Sequence, residues 1–128
     1  MRKLLQTEQE MVRTALQQRN KSSKIKPIIN CLKNESLEGI EDWLAENEKE
    51  IKIGLLKGIL YCFYNDVDSC CVVELHSETE RRPIVKIYLF NKENERVVNE
   101  IIDFFVQEEY FEEAQIAEKI KKLILAKT

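Results

Sequence analysis

Three glycines, two prolines and a single histidine in 128 residues leave few of the parts that most site chemistries need. There is no Gly-x-Gly-x-x-Gly, phosphate-loop or Gly-x-Ser-x-Gly pattern, hence no backbone cradle for a phosphate and no nucleophile elbow. His76 is the only imidazole and no Cys-x-x-Cys pair exists, so the ligand pairs of a structural zinc site are missing. Asn65, Asp66 and Asp68 resemble the opening of a calcium loop. Cys70 stands where that loop needs its glycine, and the closing glutamate is absent, so the segment reads as a turn. No apolar run reaches the roughly 18 residues a membrane span requires. The basic opening Met1-Arg2-Lys3 lacks the apolar stretch of a secretory signal.

What is present is ordinary for a globular chain: 44% hydrophobic and 34% charged residues. A chain of this length forms one domain over 1–128 and can bury roughly two-thirds of its unfolded surface without staples. Four cysteines, at 31, 62, 70 and 71, are not spaced as a bridging framework. Reduced thiols in a cytoplasmic protein are the simpler expectation.

Periodicity divides the chain into a helical part over 1–50, a β part over 57–90 and a second helical part over 93–126. Leu4, Leu5, Met11, Val12, Ala15 and Leu16 form one stripe of an amphipathic helix over 1–20, followed by a polar loop. Pro27 suits the first position of a short second helix carrying Ile28, Ile29 and Leu32. Asn34 or Ser36 caps a third, with Leu37, Ile40, Trp43 and Leu44 inward and Asn47 at its end. Residues 57–64, 69–76 and 84–90 are rich in aromatic and β-branched side chains and read as three strands. Short links favour an antiparallel meander. Val97, Val98, Ile101, Ile102 and Phe105 mark one C-terminal helix, capped at Asn91 or Asn94. Ile116, Ala117, Ile120, Leu123 and Ile124 mark the last. The fold class predicted is α+β: a three-stranded antiparallel meander with about three N-terminal and two C-terminal helices.

Pairing Leu75 with Val85 sets Glu74 opposite Lys86, a favourable cross-strand pair. One sheet face then reads Leu60, Cys62, Cys71, Val73, Leu75, Val85, Ile87 and Leu89, and should carry the helices, with Cys62 and Cys71 as small buried residues. The other carries Tyr61, Phe63, Tyr88 and Phe90 with Cys70, Glu74, His76 and Lys86 among them. An uncovered aromatic face of this kind marks an interaction site.

The net charge of −3 conceals blocks. Residues 1–33 carry eight Lys/Arg against two Glu, and residues 34–52 carry two Lys against seven acids. Residues 93–113 set Arg96 alone against eight acids, and 114–128 turn basic again. Two acidic helical segments suit a basic partner and speed encounter with it. The basic stretch Arg19, Lys21, Lys24 and Lys26 has no interleaved aromatics, and the overall balance is acidic, so nucleic acid is the weaker expectation.

Catalysis finds little to use. In this register His76 lies six residues along one face from Cys70, too far for a Cys–His pair, and nothing marks Cys31. No cofactor is expected. The function expected from these features is non-catalytic: a small cytoplasmic protein that masks a basic protein partner, most concretely a bacterial toxin-neutralising, immunity- or antitoxin-like inhibitor. Glu108, Glu109, Glu112 and Glu113 would meet the basic surface, with Tyr61, Phe63, Tyr88 and Phe90 at the desolvated centre. The alternatives are a homo-oligomeric structural or regulatory domain and, less favoured, a nucleic-acid-binding regulator using 19–26.

Overall fold

The computed structural model describes residues 27–80 and 82–126. The helix expected over 1–20 lies outside the described residues. The described chain runs β1 (Ile28–Leu32), α1 (Leu37–Glu46), α2 (Glu48–Asn65), β2 (Ser69–Ser77), β3 (Pro83–Phe90), a short 3-10 turn (Asn91–Glu93), α3 (Asn94–Gln107) and α4 (Phe111–Ala126). The class is α+β, but the sheet is mixed rather than an antiparallel meander. Its order is β1-β2-β3, with β1 parallel and β3 antiparallel to β2.

Two expectations are corrected by that topology. The segment after Pro27 is a strand, not a helix, and β-branched Ile28 packs toward Gly54 of α2. Residues 57–64 are the C-terminal half of α2, not a strand, so Asn65–Asp68 ends a helix rather than turning a hairpin. Asp66 takes the left-handed conformation (φ 53°), and its N–H donates to the Cys62 carbonyl as a helix C-cap. Tertiary context overrides local β preference here, because α2 lies between two apolar surfaces. It packs against the sheet on one side and against α3 and α4 on another, and Ile53, Leu56, Ile59, Leu60 and Cys62 are all buried. A helix buried on several sides lacks the polar face that advertises a helix.

The other elements follow local chemistry. Ser36 is the N-cap of α1, its hydroxyl accepting from the Gly39 N–H at 3.2 Å. Trp43 is buried and Ile40 and Leu44 half-buried, whereas Leu37, expected inside, is 73% exposed. Asn47 ends α1 by donating to the Trp43 carbonyl, and its own carbonyl accepts from Ile51, so one residue joins two helices. Asn94 opens α3, its amide donating to Asn91 Oδ1 at 3.1 Å, and Val98, Ile101, Ile102 and Phe105 form its buried face. Residues 108–110 link α3 to α4 through Glu109 in the left-handed region (φ 62°).

The register of β2 and β3 agrees with expectation at Leu75↔Val85, Glu74↔Lys86 and Val73↔Ile87. A bulge at Val72 then shifts it, so that Cys70 pairs with Leu89 and Cys71 with Tyr88. Cys70 therefore faces α2 and is buried, and Cys71 faces away, the reverse of the assignment made from the sequence. Gly58 is where α2 touches the sheet: an added Cβ would sit 2.9 Å from Val72 Cγ1 and 3.1 Å from both Cys70 Sγ and Leu89 Cδ2. Gly58→Ala gains helix propensity but overpacks this contact, and a net loss of about 1–2 kcal/mol is expected. Urea denaturation of the variant measures it; a stabilised variant would show that the helix–sheet spacing yields freely.

Candidate functional site

The two acidic segments, far apart in sequence, meet in space. Glu46 and Glu48 flank Asn47 at the corner between α1 and α2, and Glu108 stands at the corner between α3 and α4. Together they rim an open hollow of about 230 Å³ whose walls include Phe104 and Tyr110. Helix phase explains the placement. Phe104 and Phe105 fall near the end of α3, with Phe105 fully buried and Phe104 half-buried. The turn after Gln107 brings Tyr110 back onto both rings, at 6.4 and 6.3 Å between centroids. The Tyr110 N–H donates to the Phe105 carbonyl at 2.7 Å, which sets the turn.

Two lysines of α2 reach this acidic surround, Lys52 Nζ lying 5.7 Å from the centre of the Phe104 ring. Lys49 Nζ is 3.8 Å from Glu113 Oε2 and 3.8 Å from the centre of the Tyr110 ring. Its charge is engaged by a carboxylate and by the negative face of a ring, so it does not cancel the rim. Glu113 is fully buried. It therefore leaves the set of partner-facing acids expected from the sequence, because the phase of α4 turns it inward beside Ala114 while Glu112 stays exposed. Glu108 and Glu109 are exposed as expected. Glu46, Glu48, Lys49 and Tyr110 were not singled out by sequence reasoning; the signal that pointed toward them was the acidic block over 34–52.

The expected aromatic face is divided. Tyr61 and Phe63 belong to α2 and are half-buried, whereas Tyr88 and Phe90 lie on β3, exposed, with ring centres 6.4 Å apart. Tyr88 and Phe90 share the sheet face away from α2 with Cys71, Glu74 and Lys86, and Ile29 of β1, 60% exposed, pairs alongside Glu74.

The same face holds a grouping the sequence concealed. With β1 a parallel strand, Cys31 becomes the register partner of His76, and His76 Nε2 lies 3.5 Å from Glu74 Oε1. These three side chains lie outside the hollow just described. Among the described residues, no group of three His, Cys, Asp or Glu side chains could hold a metal ion, and no helix is long and apolar enough to cross a membrane.

No family model, no curated protein and no solved structure matches the chain. The chemistry of the site must therefore be argued from its own geometry. A hollow of this volume is smaller than the roughly 300–1,000 Å³ of a drug-sized ligand pocket. It has the size of one long side chain, with three carboxylates at its rim, while the Tyr110 and Phe104 rings carry Lys49 Nζ and Lys52 Nζ at 3.8 and 5.7 Å from their centres.

The Lys49–Glu113 pair should be the energetic weak point of this corner. Lys49→Met removes the ammonium 3.8 Å from the buried Glu113 carboxylate and is expected to cost about 3 kcal/mol, whereas Lys49→Met with Glu113→Leu recovers most of that loss. Urea denaturation of the two single variants and the double variant closes the cycle. A loss in the double variant equal to the sum of the two single losses would mean the pair carries no coupling.

Proposed function

We propose that this chain is a non-catalytic protein-binding domain that masks a basic surface on a protein partner, and that the hollow between the α1–α2 and α3–α4 corners receives an arginine or lysine of that partner. The observation that carries this reading is the convergence of two separate acidic segments on one hollow of side-chain size walled by Phe104 and Tyr110. Glu46, Glu48 and Glu108 meet the incoming cation, and Glu109 and Glu112 extend the field around it. Glu113 acts at one remove by holding Lys49 against Tyr110. Rim acids mainly raise the rate of encounter, and a buried cation on an aromatic wall mainly slows departure. The most concrete form of such a protein is a toxin-neutralising, immunity- or antitoxin-like inhibitor in a bacterial cytoplasm. Small size, acidic segments and the lack of catalytic motifs support that form.

A second reading is self-association through the sheet face away from α2, favoured by the exposure of Ile29 (60%), Tyr88 (47%) and Phe90 (46%) on it. Sedimentation across a dilution series separates the two, since a masking protein stays at the mass of one chain.

The test of the first reading is comparative. The tagged protein and its Glu46→Lys/Glu48→Lys/Glu108→Lys variant are used to capture partners from the native source at moderate salt. The association rate of the retained partner is then followed against salt concentration. The wild type should hold one basic protein in near-equal amount, and the variant should associate at least about tenfold more slowly with a flatter salt dependence. Equal rates for the two proteins would remove the hollow from the interface.

A further inference from the structure

Two sulfur atoms meet in the core where α2 and β2 touch. Cys62, in the last turn of α2, and Cys70, the second residue of β2, place their Sγ atoms 3.8 Å apart, and Cys70 Sγ also lies 3.8 Å from the Gly58 carbonyl oxygen. Cys62 is fully buried and Cys70 is 7% exposed. The approach is imposed by the fold: the missing side chain of Gly58 lets the helix press onto Cys70, Val72 and Leu89, and the bulge at Val72 turns Cys70 inward. The adjacent Cys71 faces away, and Cys31 is exposed on β1. Two of four thiols are thus brought together, and the other two are held apart from them.

We propose that Cys62 and Cys70 form an oxidisable dithiol that a peroxide converts to a disulfide, stapling the end of α2 to the start of β2. The two thiols are not equivalent. The sulfur–sulfur contact with Cys70 holds the Cys62 thiol below its ordinary range, against the opposing effects of burial and Asp68. Cys70 is pushed well above its own range by the same contact, then by burial. Either sulfur can attack first; with Cys62 attacking, Cys70 resolves. The Cys62 thiolate attacks one peroxide oxygen, the O–O bond breaks, and hydroxide leaves to become water, so that Cys62 carries a sulfenic acid. Cys70 Sγ then attacks the Cys62 sulfur. The S–O bond breaks, the S–S bond forms, and the Cys70 proton leaves with the hydroxyl as a second water. Two thiols and one hydrogen peroxide give one disulfide and two waters, the two electrons passing from sulfur to peroxide oxygen. A water-sized oxidant suits a pair this buried, where a bulky disulfide reagent is shut out. The inference is independent of what the acidic hollow binds.

The full chain, carrying Cys31→Ser so that the exposed thiol makes no intermolecular bond, is treated with hydrogen peroxide under native conditions. It is then blocked with an alkylating agent in denaturant and weighed intact. The untreated protein takes up three alkyl groups and the oxidised protein is expected to take up one, on Cys71, a loss of two alkylation sites, with peptides cut after Tyr64 joined through Cys62 and Cys70. Cys71→Ser should keep that loss. Cys70→Ser, checked for folding by circular dichroism, should lose it and leave a sulfenic acid on Cys62 that dimedone, added with the denaturant, traps. The peptide map of the Cys31→Ser protein decides the matter even if Cys70→Ser does not fold. Recovery of Cys62 and Cys70 as alkylated free thiols after peroxide treatment would overturn the proposal and leave the pair as apolar filling. So would a disulfide that uses Cys71.

Discussion

The burial of α2 on more than one side is the constraint on which the other elements depend. A helix with the sheet against one side and a helical hairpin against another must present apolar atoms nearly all round. It must also come close enough to the strands to leave no void. Gly58 permits that approach, and Val72, Cys70 and Leu89 fill the space its missing side chain leaves. From this one contact follow the inward turn of Cys70, the bulge that produces it, and the meeting of two sulfur atoms. The same helix carries Glu48 and Lys49 at its other end, so the placement of the acidic hollow is set by how α2 is seated.

What was legible in the sequence follows from what each signal measures. The β2–β3 pairing could be read because Glu74 opposite Lys86 and Leu75 opposite Val85 are local, two-strand facts. The bulge at Val72 could not, since an inserted residue leaves the alternation of Ser69 to Val73 ambiguous until tertiary contacts choose a face. Residues 57–64 misled for a stronger reason. Ile59, Leu60, Tyr61, Cys62 and Phe63 prefer strands locally, and the polar gaps that would reveal a helical period are absent where a helix is buried on several sides. Losing that helix also cost β1. A parallel edge strand needs a long crossover, and α1 with α2 is that crossover. Pro27 ahead of Ile28, Ile29 and Leu32 suits a helix start as well as an edge strand, and only the parallel pairing with β2 decides between them.

The site divides in the same way. Charge is a sum over segments, so the acidic blocks over 34–52 and 93–113 survive any error in secondary structure. Which acids face solvent is a question of helix phase, and there the sequence was mute: Glu112 and Glu113 are chemically identical neighbours, yet one is exposed and the other fully buried against Lys49. The aromatic residues failed as a group because Tyr61 and Phe63 belong to α2. The rings that do wall the hollow, Phe104 and Tyr110, stand outside the apolar stripe of Val97, Val98, Ile101, Ile102 and Phe105, so no periodicity marks them.

A buried carboxylate beneath an acidic rim demands a physical account, since it adds negative charge where repulsion is already present. Removing an ion from water costs several kcal/mol, and a single pair seldom returns much more than that. Stability alone would be served as well by two apolar side chains at 49 and 113. The pair does something an apolar substitute would not: it fixes an ammonium over Tyr110 and spends its charge on Glu113, so that Glu46, Glu48 and Glu108 keep their full field toward solvent. The buried glutamate therefore bears on the surface as well as on the core, because it holds the Lys49 ammonium within the corner.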